Sequence, residues 1–201
     1  MTPVEQFCLV LPDPLAEHWP AVRDYLARSR ALDPALLEQC RCSGTVYADH
    51  RRNAVFTCRD HSGRTAGAEL VGTCPRPDAS TFKGLAPGSR RDRGGFWLAS
   101  SSAPPAAILL VESAVDALSA LLLPAPGLPP DCLLVSTAGT ARRLPRWLSS
   151  GPRTELLCGY DPDLPGDRAA LALSRSHPQL RRLRPQGAKD WNDLLRLRAP
   201  R

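Results

Sequence analysis

Apolar and polar positions follow two different patterns along the chain, and the change falls near its middle. In the first half, residues 18–30 and 33–40 carry apolar side chains at helical spacing. Asp33 followed by Pro34 is a helix start: a side chain that accepts from free amides, then a residue with no amide hydrogen to satisfy. Short runs rich in β-branched and apolar residues follow at 45–48, 54–59 and 65–72, and His61-Ser62-Gly63 supplies the turn of a hairpin. Phe96-Trp97-Leu98 reads as a last strand. An Ala/Ser/Pro-rich stretch, residues 99–107, then leads into regular strand–helix alternation. Strands are predicted at 107–111, 132–135, 155–159 and 180–183, and helices at 113–123, 142–148, 167–174 and 190–197. Residues 124–130 are a proline-rich connection. Such alternation specifies a parallel sheet with helices on both faces. The expected organisation is therefore a smaller α+β domain over residues 1–100 and an α/β domain over 106–201.

Composition narrows the picture. The chain has 201 residues and is 43% hydrophobic, enough for a packed core. No apolar run approaches the roughly 18 residues of a membrane span, and the first residues, MTPVEQFCLVLPDP, do not read as a leader, so a cytoplasmic location is expected. Net charge is +6 with a pI near 9.2. Of 26 basic residues only Lys83 and Lys189 are lysines; arginine favours bidentate phosphate contacts. The seven cysteines, Cys8, Cys40, Cys42, Cys58, Cys74, Cys132 and Cys158, are an odd number without a secretory context and read as reduced thiols. A zinc site drawn from Cys40, Cys42, Cys58 and a histidine is the alternative, but Cys40-Arg-Cys42 is too tight a spacing for a zinc knuckle, and no zinc is expected.

The chemistry concentrates at strand ends. ILLVE ends in Glu112, and ELLCGYDPD ends in Asp161 and Asp163. In an open parallel sheet, ligands bind beyond the carboxyl ends of the strands. Carboxylates gathered there repel one another, which a hard divalent cation relieves. Residues i and i+2 of an extended segment point the same way, so Asp161 and Asp163 are expected to face one metal, with Pro162 stiffening the backbone and Gly166 allowing the turn into the next helix. Singly, each motif has a plainer reading: Glu112 flanking a helix start, Asp161-Pro-Asp163 as a surface turn, Asp190 as a helix N-cap. Basic residues cluster at Lys83, Arg90, Arg91 and Arg93 and at Arg181, Arg182, Arg184 and Lys189; each cluster either lines the acidic cleft or is solvated surface.

The runs VESAVDALSALLL, STAGT, GYDPDLPGDRAA and KDWNDLL, in this order over about residues 106–197, resemble the Toprim domain of bacterial-type primases and topoisomerases. The tail GAKDWNDLL resembles primase-like members on plasmids and mobile elements. YLARSRALDPALL, AVFTCRDHSGRTAGAEL and TFKGLAPGSRRDRGGFWL resemble the uncharacterised domain that often precedes Toprim in those proteins. The resemblance implies a catalytic or metal-binding Glu112, a metal-binding Asp161 and Asp163, a glycine turn at Gly139, and a further acidic motif at Asp190 and Asp193. It implies Mg²⁺ (or Mn²⁺) as cofactor, with Lys83, Arg90, Arg91, Arg93 and Lys189 on nucleic-acid or nucleotide phosphates. The implied partners are single-stranded DNA or RNA, nucleoside triphosphates, and a helicase or other replication protein. The implied activity is primer-making nucleotidyl transfer; a Toprim nuclease and a non-catalytic single-strand binding module are the rivals. Two departures stand out: residues 1–45 hold no ligands for the zinc module usual in such primases, and the chain has no GxxxxGK[ST] motif. With tyrosines only at 25, 47 and 160, a topoisomerase fits poorly.

Overall fold

A computed structural model of the protein describes residues 8–74, 81–124, 127–148, 151 and 153–199. The start of the N-terminal segment and residues 125–126 of the proline-rich connection lie outside these. Two helices open the fold, α1 (Trp19–Arg30) and α2 (Pro34–Cys42). Asp33 caps α2 by accepting from the Ala35 amide at 2.9 Å, with Pro34 in the first turn, as the sequence indicates. A meander of four antiparallel strands follows in the order β1 (Val46–Ala48), β2 (Asn53–Arg59), β3 (Thr65–Gly72) and β4 (Lys83–Leu85).

The second sheet has the order β5-β7-β6-β8-β9. Its strands are β5 (Trp97–Ala99), β6 (Ala107–Val111), β7 (Cys132–Ser136), β8 (Glu155–Cys158) and β9 (Arg181–Arg182). Strands β7, β6, β8 and β9 run parallel, and β5 closes the β7 edge in the antiparallel sense. The helices are α3 (Ala114–Leu122), α4 (Leu164–Ser176) and α5 (Trp191–Arg198). All five residues of β6 are buried, and they alternate between two cores. Ala107, Leu109 and Val111 pack with α3, α5 and the α1–α2 layer; Ile108 and Leu110 pack with α4, Val135 and Tyr160. Both faces are thus covered, and for that reason the strand is uniformly apolar rather than alternating. The chain therefore has an α/β architecture, a mainly parallel sheet covered on both faces, behind an α+β region, and the first of these cores is continuous across both sheets.

Two expectations are corrected. Residues 142–148 form no helix: Pro145 lacks an amide hydrogen and disfavours helical backbone at Leu144, and the segment is a loop with a turn from the Leu148 amide to the Pro145 carbonyl, 3.0 Å. The strand at Trp97 pairs with the second sheet, Trp97 opposite Val135, rather than completing the first. Phe96 nevertheless packs edge-to-face on Phe56 of β2, with centroids 5.5 Å apart, and Arg59 stacks over Trp97, so this segment joins the two halves.

Candidate metal centre and its cleft

Strands β6 and β8 are adjacent and parallel, with Leu110 opposite Cys158. Their carboxyl ends therefore deliver Glu112 and Asp161 side by side. The Asp161 amide donates to Glu112 Oε1 at 3.0 Å, so the glutamate is tied to the start of the next motif. Burial is the first cause that holds the Glu112 carboxyl above the usual carboxylate range, with the charges of Asp163 and Asp190 adding to it. Asp161 is pushed up to about 7, first by burial and then by Glu112, Asp116, Asp190 and Asp163. Its Oδ1 is buried without a hydrogen-bond partner.

Asp163 behaves differently. It caps α4, accepting from the Gly166 amide at 2.8 Å, and it does not line the cleft. The structure therefore divides the Asp-Pro-Asp motif, with Asp161 in the cleft wall and Asp163 at the helix start. Gly166 is required by close approach, since a Cβ there would overlap the Asp161 carbonyl oxygen. Asp190 also does two things. It caps α5, accepting from the Asp193 amide at 2.6 Å, and it lines the cleft. Asp193 sits one turn into α5, and Lys189 lies 3.7 Å from Asp190 with its side chain 78% exposed.

The cleft measures about 350 Å³ and lies between the two halves. One wall is the strand-end rim with Glu112, Asp116, Asp161 and Asp190. The other comes from β3 and β4, including Glu69 and Lys83, and from Arg30 at the end of α1. Asp116 is buried; it accepts from Ser113 Oγ at 2.5 Å and from the Asn192 amide at 3.2 Å. Burial pushes it up to about 6, while Ser113, Asn192 and the Lys83 charge pull the other way. Glu69, fully enclosed and pushed up to about 7 by that burial, accepts from the Ala114 amide at 3.0 Å. Asn192 ties α5 to the Arg30 carbonyl at 2.7 Å and to Ser119 Oγ at 3.0 Å. The sequence reading did not single out Asp116, Glu69, Asn192 or Arg30 for the site. The one signal was Asp116, an acid in the first turn of the helix that follows Glu112.

The loop after β7 closes the rim. Ala138 and Gly139 adopt positive φ, 52° and 99°, and the Gly139 amide donates to the Glu112 carbonyl at 2.6 Å. Arg91 reaches this loop, donating to the Ala138 carbonyl at 2.9 Å. Arg90 is paired with Asp92, and Arg93 is exposed. The second basic cluster is committed to the fold. Arg181 pairs with Glu155 at 2.7 Å and Arg184 with Asp167 at 2.7 Å. Arg182 donates to the carbonyls of Cys158 (3.1 Å), Tyr160 (2.6 Å) and Asp161 (2.8 Å) and to Asp167 (3.2 Å), and so clamps the strand end that carries Asp161.

The donor chemistry fits a hard divalent cation. The oxygens are all carboxylate, the negative forms of Glu112 and Asp161 are disfavoured as they stand, and one buried oxygen of Asp161 is unsatisfied. No group of three His, Cys, Asp or Glu among the described residues is drawn together as a complete cage. Mg²⁺ needs none, because it takes one or two protein carboxylates and completes its shell with water and substrate phosphate. Cys40 and Cys58 are buried in the apolar core and their thiols are shifted up by burial, which disfavours the thiolate that zinc requires.

Residues 109–195 match a family model described as Toprim-like. Residues 24–96 match one described as a protein of unknown function, DUF3991. No curated protein matches the chain. Among solved structures, the primase fragment of the bacteriophage T7 primase-helicase protein is 16% identical with a TM-score of 0.51, over 82% of this chain and 65% of that one. The DnaG catalytic core is 18% identical with a TM-score of 0.53, over 90% and 69%. The RNA polymerase domain of Mycobacterium tuberculosis primase DnaG is 17% identical with a TM-score of 0.52, over 90% and 72%. At these identities the likeness is one of fold, and the chain spans about two thirds of the length of those structures. No helix among the described residues is long and apolar enough to cross a membrane.

Proposed function

The chain is a Toprim protein whose fold resembles primase catalytic cores, and we propose that it is a Mg²⁺-dependent nucleotidyltransferase that makes short primers on single-stranded DNA. The observation that carries this reading is the strand-end cleft where Glu112 and Asp161 meet, opposite Lys83 and Arg30. Acid on one wall and base on the other suits a substrate that is both a metal chelator and a polyanion: a nucleoside triphosphate beside a template.

Glu112 and Asp161 would hold Mg²⁺ or Mn²⁺, with Asp190 and the nearby Asp163 charge adding to the field. When bound, the ion supplies charge neutralisation on the phosphoryl group and acidifies the attacking hydroxyl. The protein's own part is positioning. Lys83, on β4, places an ammonium against the triphosphate, and Arg91 stiffens the Ala138–Gly139 loop at the rim. The 3′-hydroxyl oxygen bonds to the α-phosphorus as the bond to pyrophosphate breaks. Glu112 Oε2, the oxygen not taken by the Asp161 amide, would accept the hydroxyl proton. Arg182 keeps the Asp161 backbone in register throughout. Template and triphosphates place this work in the cytoplasm, beside a helicase or other replication protein.

The test is incubation of the protein with single-stranded DNA, labelled nucleoside triphosphates and Mg²⁺ or Mn²⁺, resolving products by size. Template-dependent short oligonucleotides that vanish in Glu112→Gln support the proposal. Shortened template instead of new oligonucleotides identifies a nuclease, and strand binding without turnover identifies a binding module.

A further inference from the structure

The basic residues fall into two classes when each is followed to its partner. Arg181, Arg182 and Arg184 are held by carboxylates and carbonyls, and Arg90 by Asp92. A different set has no such partner. Arg142, Arg143 and Arg146 lie on the loop after β7, and Arg175 lies on the last turn of α4; all four are exposed. Among the described residues none of them pairs with a carboxylate or donates a hydrogen bond to the protein. Together with His177 they line one groove of about 700 Å³, the largest of the surface hollows described, with Leu144, Leu148 and Ala172 also in its lining.

Four guanidiniums lining one groove repel each other, and among the described residues no carboxylate pairs with them. Water and salt screen that repulsion in part, and a bound polyanion would relieve it further. The proposed reaction supplies one, the single strand that the same protein handles, and the loop that carries three of the arginines starts at the cleft. The loop leaves the acidic cleft at Gly139 and reaches Arg142 three residues later, a chain distance of at most about 11 Å. The buried Tyr160 hydroxyl anchors it between, at Ala141 N (3.2 Å) and Ala141 O (3.4 Å). From there the groove runs along α4 toward its last turn, and because α4 returns antiparallel to β8 between parallel strands, it lies on the α4 face, away from the cleft. A hollow of this size takes about two nucleotides of single strand, with phosphates on the arginines and sugar and base edges over the leucine side chains.

We propose that Arg142, Arg143, Arg146 and Arg175 form a second binding site for the phosphate backbone of single-stranded nucleic acid, on the α4 face and separate from the acidic cleft. The site rests on the nucleic-acid reading of that cleft. Its four charges are supplied by a loop and a helix end, outside the Lys83–Arg93 cluster.

The test is fluorescence anisotropy of a labelled oligothymidylate against salt, on the wild-type protein and on a variant with all four arginines changed to alanine. Neutralising four phosphates at about 0.7 per phosphate predicts a log–log salt slope shallower by about two to three units in the variant. Exposed side chains without protein partners are removed and their mutual repulsion with them, so the thermal melt should be unchanged or slightly higher. If the quadruple variant does not fold, Arg143→Gln with Arg175→Gln replaces it, with an expected change of about one unit. An unaltered slope overturns the proposal. So does loss of binding to anionic lipid vesicles with oligothymidylate binding intact. Calorimetric Mn²⁺ titration of the same variants separates this site from the cleft. Normal metal binding and primer synthesis with an unaltered slope refute only the groove. A flattened slope in a protein that binds no metal and makes no oligonucleotide refutes only the nucleotidyltransferase reading.

Discussion

Asp161→Asn should make the metal-free protein more stable, and the gain should depend on pH. In the wild type the carboxyl is pushed from an ordinary value of 3.8 to about 7. A carboxylate raised in this way contributes stability that is complete below about pH 4 and is lost as pH rises through 7. About three pH units at 1.36 kcal/mol each set an upper bound of about 4 kcal/mol. The side chain is only half-buried, and solvent screening reduces this to about 2 kcal/mol. For a chain of this length, that corresponds to a rise in Tm of roughly 4–8 °C at pH 8. At pH 5 most of the wild-type groups carry the proton already, and the gain should shrink to under about 1 kcal/mol. Asparagine keeps the shape, and the backbone amide that donates to Glu112 is untouched. Thermal melts by circular dichroism at pH 5 and pH 8, in chelator, read both quantities. Saturating Mn²⁺ should reverse the order at pH 8, because only the wild type retains the full ligand pair. A variant less stable than wild type at pH 8, or a gain equal at both pH values, would refute the argument that Asp161 is held against like charge.

Three further outcomes follow from the same geometry. Arg182→Met removes a guanidinium from three backbone carbonyls and should cost about 2–4 kcal/mol in urea unfolding, because the acceptors are left unpaired. Residual Mn²⁺ affinity should fall with it, and full affinity would show that the clamp does not position Asp161. Gly166→Ala forces a methyl against the Asp161 carbonyl and should destabilise by about 1–3 kcal/mol by thermal melt. Mn²⁺ affinity should rise about tenfold per pH unit up to about pH 7 and level off above it, as one proton leaves Asp161 on binding; titration by electron paramagnetic resonance from pH 5.5 to 8 reads this, and a flat profile contradicts it.

The parts of the site that depend on local pattern were readable from the chain. Uniformly apolar β6 followed by Glu112, the Asp-Pro-Asp motif after β8, and the caps at Asp33 and Asp190 are set by residues within a few positions of one another. What escaped depends on long-range contacts. Arg182 has the sequence surroundings of a phosphate ligand, yet it serves carbonyls more than twenty residues away. Asp116 sits in the first turn of α3 beside the Ser113 cap, but it also accepts from the Asn192 amide at the far end of the chain. The second carboxylate of Asp-Pro-Asp was expected to face the metal with the first. The turn into α4 instead gives it a free helix amide to accept from. Periodicity proposed a helix at 142–148 where Pro145 prevents one, and β4 was missed because its three residues, Lys83, Gly84 and Leu85, are all exposed and carry no alternation.

The most direct measurement of the account's central claim is the position of a bound metal. Crystals soaked with Mn²⁺ and a nucleoside triphosphate, with data collected at the manganese absorption edge, give an anomalous difference map with one kind of scatterer. The account predicts a peak at the carboxyl ends of β6 and β8, with oxygens of Glu112 and Asp161 as its protein ligands and the phosphates turned toward Lys83. Manganese bound elsewhere on the protein, or a cleft with triphosphate but no metal between those two carboxylates, would contradict it.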